Sequence, residues 1–467
     1  MIRLFKHYVP LSLFLLAISE AGVLFLSMYA GTVLRFTMGG EEGDIELVGL
    51  IYPRALVFTF VMISIMTTFG LHQRDAKQEG EWGYTMRFLA SFAIGLVTML
   101  LIFYAFPILH LGRGAFGLVF LFAFVGTTIT RLVFVRLFRL DALRRRVLLL
   151  GGGSRSAKIE AIERDVEGQR KFNLVGCLPL SKADCCLGKT RILNDHGSVL
   201  SIAKKYKIDE IVVGVRDRRS GGLPSDQLLE CKLAGIEVVD LPSFFEREMG
   251  QIQIESLNSS WMIFSDGFHR GQFKDMTKRI FDVMTSISLL LLTLPVFLVT
   301  ALLIWLESGN SILYRQDRVG EYGRIFNLLK FRSMRQDAEH DGVPQWAKKQ
   351  DDRVTRVGKI IRKLRIDELP QIFNVLKGDM SFVGPRPERP FFVKDLTNKI
   401  SYYPSRHAIK PGITGWAQIR YPYGATVEDA IQKLQYDLYY VKNHTLFLDV
   451  IILFQTAQVV LFGKGAR

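Results

Sequence analysis

Four apolar runs open the chain, near Pro10–Val33, Gly49–Gly70, Phe88–Ile108 and Ala115–Leu137. Each is about 20 residues or more, enough for a helix to cross a ~30 Å hydrocarbon layer. The first is too long and too internal for a cleaved signal sequence, and no small-residue cleavage pattern follows it. Pro53 and Arg54 stand close to the start of the second. Charged loops orient the runs. Arg3 and Lys6 precede them, and Glu41, Glu42, Asp44 and Glu46 fill the first loop. Arg74, Lys77 and Arg87 mark the second loop, and Arg136, Arg139, Arg144, Arg145 and Arg146 follow the fourth run. The Lys and Arg bias puts both ends of the four-helix unit, expected over residues 1–140, in the cytoplasm.

A fifth run, Ile287 to Leu306, lies far downstream with Pro295 near its middle. Lys274, Lys278 and Arg279 precede it; Arg315, Arg318, Arg324, Lys330 and Arg332 follow. Basic residues on both sides keep both ends cytoplasmic, and a mid-run proline removes a backbone donor and crowds the preceding turn. The expectation is a re-entrant helical hairpin near residues 279–307 that enters one leaflet and returns. A fifth plain crossing is the alternative, and it would expel everything beyond Tyr314. Mean hydropathy is +0.19 although the formal net charge is +15. That combination suits a membrane protein meeting anionic lipid or phosphorylated substrates, and no nucleic-acid partner is expected.

From Arg146 the pattern becomes α/β. "RRVLLLGGGSRS" reads as a buried strand followed by Gly151, Gly152, Gly153 and Ser156, with a helix over Ala157–Glu167. "FNLVGCLPL", "IDEIVVGV" and "LAGIEVVDLPSFFERE" supply further strands. The alternation predicts a Rossmann-like parallel sheet over residues 141–255, then a linker at 256–273. The glycine cluster is a weak dinucleotide signal. The ribose-binding acid is missing about 20 residues on, and no Tyr-x-x-x-Lys occurs. Four cysteines, all in this segment, lack Cys-x-x-Cys spacing, and His-Glu-x-x-His is absent, so no structural zinc is indicated.

Chemistry concentrates in residues 274–467. "LLKFRSMRQD" holds Lys330, Arg332 and Arg335. "RVTRVGKIIRKLRIDELPQIFNVLKGDMSF" predicts two helices, the second starting around Asp367-Glu368 with Pro370 in its first turn and stopping before Gly378. Asp and Pro at a helix start can be capping alone. The dipeptide also recurs as Asp209-Glu210 in "KIDEIVVG", where a strand entrance is expected. The same local geometry nonetheless suits phosphate chemistry. Arg362, Arg365, Lys330 and Arg332 would hold phosphates and keep a carboxylate ionised as a nucleophile. A neighbouring carboxylate can bind a divalent metal. Downstream, Pro385 and Pro387 fix the backbone around Arg386, and "KPGITGWAQIR" offers a turn-rich loop with Gln418.

Taken together, "KRIFD", "KFRSM", "RIDELPQ", "GDMSFVGPRPE" and "KPGITGWAQ" resemble the bacterial sugar transferases, polyprenol-phosphate phosphoglycosyl transferases with one re-entrant membrane helix. The likeness covers about Lys274 to Phe462. The whole layout resembles the large members, with four added helices and a Rossmann-like insert. "FFEREMGQI…SSWMIFSDGF" further resembles the subgroup found with exosortase (PEP-CTERM) exopolysaccharide loci.

The resemblance implies a bacterial inner-membrane enzyme whose catalytic domain faces the cytoplasm. It would move a phosphosugar from a UDP-sugar to undecaprenyl phosphate, releasing UMP and initiating exopolysaccharide or related glycan synthesis. It implies Asp367 as the nucleophile of a covalent phosphosugar intermediate, Glu368 as its partner at Mg²⁺, and Arg386 in nucleotide binding. Many members carry Ser directly before the helix-breaking proline; here Leu294 does so, after Thr293.

The run Thr445–Gly465, interrupted by Asp449, Gln455 and Gln458, suits an interfacial helix lying on lipid. Two rival functions stay open on the sequence: a non-catalytic membrane scaffold of polysaccharide assembly, and an NAD-dependent nucleotide-sugar oxidoreductase or dehydratase. A homodimer is also left open.

Overall fold

The computed structural model describes residues 2–4, 7–39, 51–72, 80–138, 144–151, 156–163, 172–180, 191–193, 195, 197–214, 223–256, 267–268, 271–309, 311–335, 353–422, 424 and 426–462. The chain is mostly helical, with several apolar helices and a small parallel sheet, the build of a membrane protein. It divides into two compact units. One holds Leu11–Ile63 and Arg74–Ser256; the other holds Met1–Pro10, Ser64–Gln73 and Leu257–Arg467.

Helices at Leu11–Gly39, Ile51–Thr68, Gly80–Ala105 and Arg113–Phe138 carry the four opening runs. Each is long and apolar enough to cross a membrane. Pro53 falls in the first turn of its helix, where a missing N–H costs little. Arg54 donates to the Ile108 carbonyl at 2.9 Å. The first and fourth helices approach closely: a Cβ on Gly31 would come within 2.6 Å of the Val119 nitrogen. Between them Glu20 and Arg131, both buried, form an ion pair at 2.5 Å. Neither was singled out by sequence. Pairing answers the desolvation that each charge would otherwise suffer among apolar side chains.

The α/β segment contains a four-stranded parallel sheet. Its spatial order is Asn173–Leu178, Arg146–Leu150, Glu210–Val213, Glu237–Asp240. Alternation along the strand "RVLLL" explains why both faces are covered. Leu148 and Leu150 pack with Ile202 and Leu228, whereas Val147 and Leu149 pack with Ile159 and Phe244. The helix after the first strand is Ser156–Glu163. The Gly152–Arg155 part of the glycine cluster lies outside the described residues. "LPSFFERE" is a helix, Leu241–Met249, whose N-cap Asp240 accepts from the Ser243 amide.

The fifth run lies in the second unit. It is one helix, Gln272–Ser308, 37 residues long, and it passes through Pro295 unbroken. Proline removes only its own N–H, so the helix loses one bond there and continues on either side. Thr293 Oγ1 donates to the Leu289 carbonyl at 2.7 Å. Both flanks of this helix pack on the same unit. Arg279 donates to the Val375 and Leu376 carbonyls at 2.5 and 2.6 Å, completing the C-terminus of the helix Gln371–Lys377. Phe297 meets Phe331 and Phe373, with ring centroids 4.7 and 5.8 Å apart. Glu307 accepts from the Arg356 and Val357 amides.

The helix Leu446–Phe462 is also anchored from within. Asp449 is fully buried, bonded to Lys278 at 2.7 Å and to the Tyr440 hydroxyl at 2.6 Å. Gln458 is buried as well. Of the polar residues that suggested a surface helix, Asp449 is thus a partner inside the fold and Gln458 is buried.

Candidate active site

A β-hairpin, Leu313–Val319 with Ile325–Phe331, turns through Gly320 to Gly323 and brings Lys330 inward. Phe326, Leu328 and Lys330 share one face of the second strand, and the first two are core residues. The helix Gln371–Lys377 is tied to this strand by one buried side chain. Asn374 accepts from the Leu329 amide at 2.9 Å and donates to the Asn327 carbonyl at 2.8 Å. Immediately before that helix, Ile366–Glu368 form a single 3₁₀ turn. The turn is entered through Arg365 at φ 59°, left-handed backbone that a residue with a Cβ rarely adopts.

This geometry separates capping from chemistry. Asp367 caps no helix: the following helix takes Pro370 as its N-cap and has no side-chain cap bond. Pro370 therefore precedes that helix instead of lying in its first turn. Among the described residues, none donates a hydrogen bond to the half-buried Asp367 carboxylate.

Glu368 is the opposite case. Its Oε1 accepts from Lys330 Nζ at 3.2 Å and from Arg386 Nη2 at 3.1 Å, and its Oε2 lies 3.9 Å from Arg365 Nη1. Burial opposes its ionisation, but Arg386, Lys330 and Arg365 outweigh burial and hold the carboxyl well below the usual range. Burial raises the pKa of Asp367, with Lys330 opposing and Glu368 adding to the rise. Burial lowers that of Lys330 against the pull of Glu368. Two adjacent carboxyls are thus pushed apart, one locked as an anion and one more basic.

The other Asp-Glu pair is structural. Glu210 is fully buried and paired with Arg145 and Arg247 at 2.8 and 2.5 Å, and Asp209 accepts from the Arg146 amide.

The Pro-Arg-Pro segment is fixed by its carbonyls. Pro385 accepts from the Gly412 amide at 3.0 Å, Arg386 from Arg406 Nη2 at 3.0 Å, and Pro387 from Arg318 Nη1 at 2.9 Å. Gly384 and Gly412 touch through their backbones, since a Cβ on Gly412 would lie 2.1 Å from the Gly384 nitrogen. The "GDMSFVGPRPE" and "KPGITGWAQ" motifs meet here, as a parallel pair of short strands, Ser381–Val383 and Gly412–Thr414. From the membrane helix, Asp282 of "KRIFD" accepts from Ser381 Oγ and the Phe382 amide.

Of the residues picked out by sequence, Lys330, Arg365 and Arg386 converge on Glu368, and Arg362 acts on Asp367 electrostatically. Arg332 and Gln418 form no bond to the carboxylate pair; Arg332 Nε and Gln418 Nε2 are buried without a partner among the described residues. Sequence reasoning missed Asn374, Arg318, Arg406 and Asp437. Arg406 is paired with Asp437, at 2.7 and 3.0 Å. The only local hint was an acid, Asp437, set among the apolar residues Leu434, Leu438 and Val441.

Mg²⁺ commonly takes one or two carboxylates from a protein and completes its shell with water and substrate phosphates. Asp367 and Glu368 would supply that number of carboxylates, Glu368 through Oε2, which lies 3.9 Å from Arg365 Nη1. Among the described residues no group of three or more candidate ligands exists, so this pair would need the substrate's oxygens.

The sequence profile of the family described as bacterial sugar transferase matches residues 273–463. The chain is 42% identical over 261 residues to the UDP-N-acetylgalactosamine-undecaprenyl-phosphate N-acetylgalactosaminephosphotransferase of Aeromonas hydrophila, covering 56% of this chain and 61% of that one. It is 32% identical over 332 residues to the undecaprenyl-phosphate glucose phosphotransferase of Komagataeibacter xylinus, covering 69% and 60%. It is 42% identical over 194 residues to a UDP-glucose:undecaprenyl-phosphate glucose-1-phosphate transferase of Caulobacter vibrioides, covering 41% and 72%. The matches thus span about three-fifths of the first two relatives.

Proposed function

The chain belongs to the bacterial sugar transferase family, and from that premise we propose that it transfers a sugar phosphate from a UDP-sugar to undecaprenyl phosphate, releasing UMP and starting a glycan on its lipid carrier. The sugar is a hexose or N-acetylhexosamine, the classes named in the relatives. Asp367 attacks the β-phosphorus, the bond from that phosphorus to the bridging oxygen breaks, and UMP leaves. The lipid phosphate oxygen then displaces Asp367 from the phosphosugar, restoring the carboxylate. Arg386 and Lys330, held by Glu368, receive the diphosphate charge as it shifts toward the leaving group. Arg362 and Arg365 favour the ionised form of Asp367 against burial. Asp367 and Glu368 would hold Mg²⁺, which supplies further neutralisation of the diphosphate when bound.

The observation that carries this reading is the contrast within one dipeptide: Glu368 is clamped by cations while Asp367 beside it accepts no hydrogen bond from a described residue. The test is UMP release by membranes holding the protein. Release should require both a UDP-sugar and undecaprenyl phosphate, and Asp367→Asn should abolish it. NAD-dependent turnover of the UDP-sugar would favour the oxidoreductase instead.

The organisation fits a bacterial inner membrane, with four N-terminal crossings, a Rossmann-like domain and a cytoplasm-facing catalytic domain. The helix Gln272–Ser308 acts as the re-entrant foot. A straight helix would set Arg279 and Phe297 about 27 Å apart, yet both reach the helix Gln371–Lys377, itself about 10 Å long. A bend in the turns before Pro295 shortens that span and returns Ser308 to the side from which Gln272 started.

A further inference from the structure

Two residues beyond Arg386, Glu388 lines a cavity of about 290 Å³. One wall is the helix Pro390–Lys399, which contributes Phe391, a largely exposed ring. The opposite wall is the helix Val427–Asn443, through Ala430, Lys433 and Asp437. Arg406 is bonded at once to Asp437 and to the Arg386 carbonyl, so its charge is spent holding the cavity to the Pro-Arg-Pro segment. Toward the cavity stand an aromatic face, the Asp395 carboxylate, the Glu388 carboxylate, which also lies 3.6 Å from Arg318, and the Lys433 ammonium, which bonds the Gly424 carbonyl at 2.7 Å. A flat heterocycle can stack on the ring, and hydroxyl or imide N–H groups can be read by the carboxylate. The volume is at the low end for ligand pockets, too small for a whole nucleotide sugar. Two residues of chain span at most ~7 Å, about the reach of one ribose from Glu388 back to Arg386.

Building on the transfer reading, we propose that this cavity receives the uridine half of the donor, with uracil on Phe391 and the ribose directed toward Arg386. The diphosphate then emerges between Arg386, Lys330 and Asp367, and the sugar lies outside the cavity. Specificity for the nucleoside and tolerance of the sugar are therefore set in different places.

The test uses the full chain in lipid nanodiscs, with UMP, pyrophosphate and glucose 1-phosphate as probes in calorimetry. Ala430→Phe fills the cavity from a half-buried helix position. It should weaken UMP binding about ten-fold or more and raise KM for the UDP-sugar in parallel, while kcat and pyrophosphate binding hold. Phe391→Ala should weaken UMP similarly and Phe391→Tyr should restore it, which covers the case of an unfolded Ala430→Phe. UMP bound equally well by both disruptive variants, or glucose 1-phosphate weakened in its place, overturns the subsite. If the wild type still forms its Asp367 adduct in that event, only the subsite falls; if the wild type forms none, the transfer reading falls and takes the subsite with it.

Discussion

Arg386 Nη2 donates to Glu368 Oε1 at 3.1 Å across 18 positions of sequence. The Arg386 carbonyl is itself held by Arg406, so the guanidinium is aimed from a fixed backbone. Glu368 in turn gathers Lys330 onto the same oxygen. A residue that looks like half of a catalytic pair is thereby the organiser of two cations, and its neighbour Asp367 accepts no hydrogen bond from a described residue.

Asn374 should matter although it touches no reacting group. Asn374→Ala strips partners from two strand groups and a buried site, a loss of about 1–3 kcal/mol. Thermal unfolding should fall accordingly. Turnover should fall further than stability accounts for, because Lys330 loses its register against Glu368. Asn374→Asp, which keeps the acceptor to the Leu329 amide, should recover part of both.

The acid limb of the pH–rate profile should belong to Asp367. Its pKa is raised by burial and opposed by Lys330, so Lys330→Met should raise it further and move the acid limb to higher pH. The accompanying drop in kcat at alkaline pH should be roughly ten- to a hundred-fold. Pre-steady-state UMP bursts across pH give the measurement; a limb unmoved by Lys330→Met would assign it to another group.

The glycine contact between motifs predicts a structural lesion. Gly412→Ala puts a Cβ 2.1 Å from the Gly384 nitrogen, with no flexible side chain to yield. About 1–3 kcal/mol of stability should be lost, together with the placement of Arg386. Differential scanning fluorimetry and UMP release should report both.

The Glu20–Arg131 pair predicts an asymmetry between single and double changes. Glu20→Gln leaves a buried guanidinium uncompensated and should cost about 3–5 kcal/mol, whereas Glu20→Leu with Arg131→Met should cost far less. Detergent-resistance midpoints of purified protein distinguish the two patterns.

The apolar runs were legible because length and hydropathy alone decide them, and the four strands because β-branched and leucine runs alternate with helical stretches. Pro295 was legible as a weak point in the run, but not its outcome: its local penalty is one bond, and the 37-residue helix continues on either side. The Asp367-Glu368 pair stood out only in company, since Asp209-Glu210 has the same letters and ends as a buried ion-pair network. Asn374, Arg406 and Asp437 were illegible because their roles are long-range hydrogen bonds to main chain or to each other. No spacing rule along the sequence encodes such partners.

The proposed re-entrant foot yields a topological expectation. Single cysteines at Gln272 and Ser311 should both react with a membrane-impermeant maleimide only after the cytoplasmic face is opened. Labelling of Ser311→Cys from the periplasm would make the helix a plain crossing.

The most direct test is capture of the intermediate. Full-length protein mixed with a UDP-sugar, without lipid phosphate, acid-quenched and digested, should carry a hexose- or N-acetylhexosamine-phosphate mass on the peptide containing Asp367, discharged by undecaprenyl phosphate and absent from Asp367→Asn. An adduct on a different residue, or lipid-dependent UMP release by Asp367→Asn, would contradict the account.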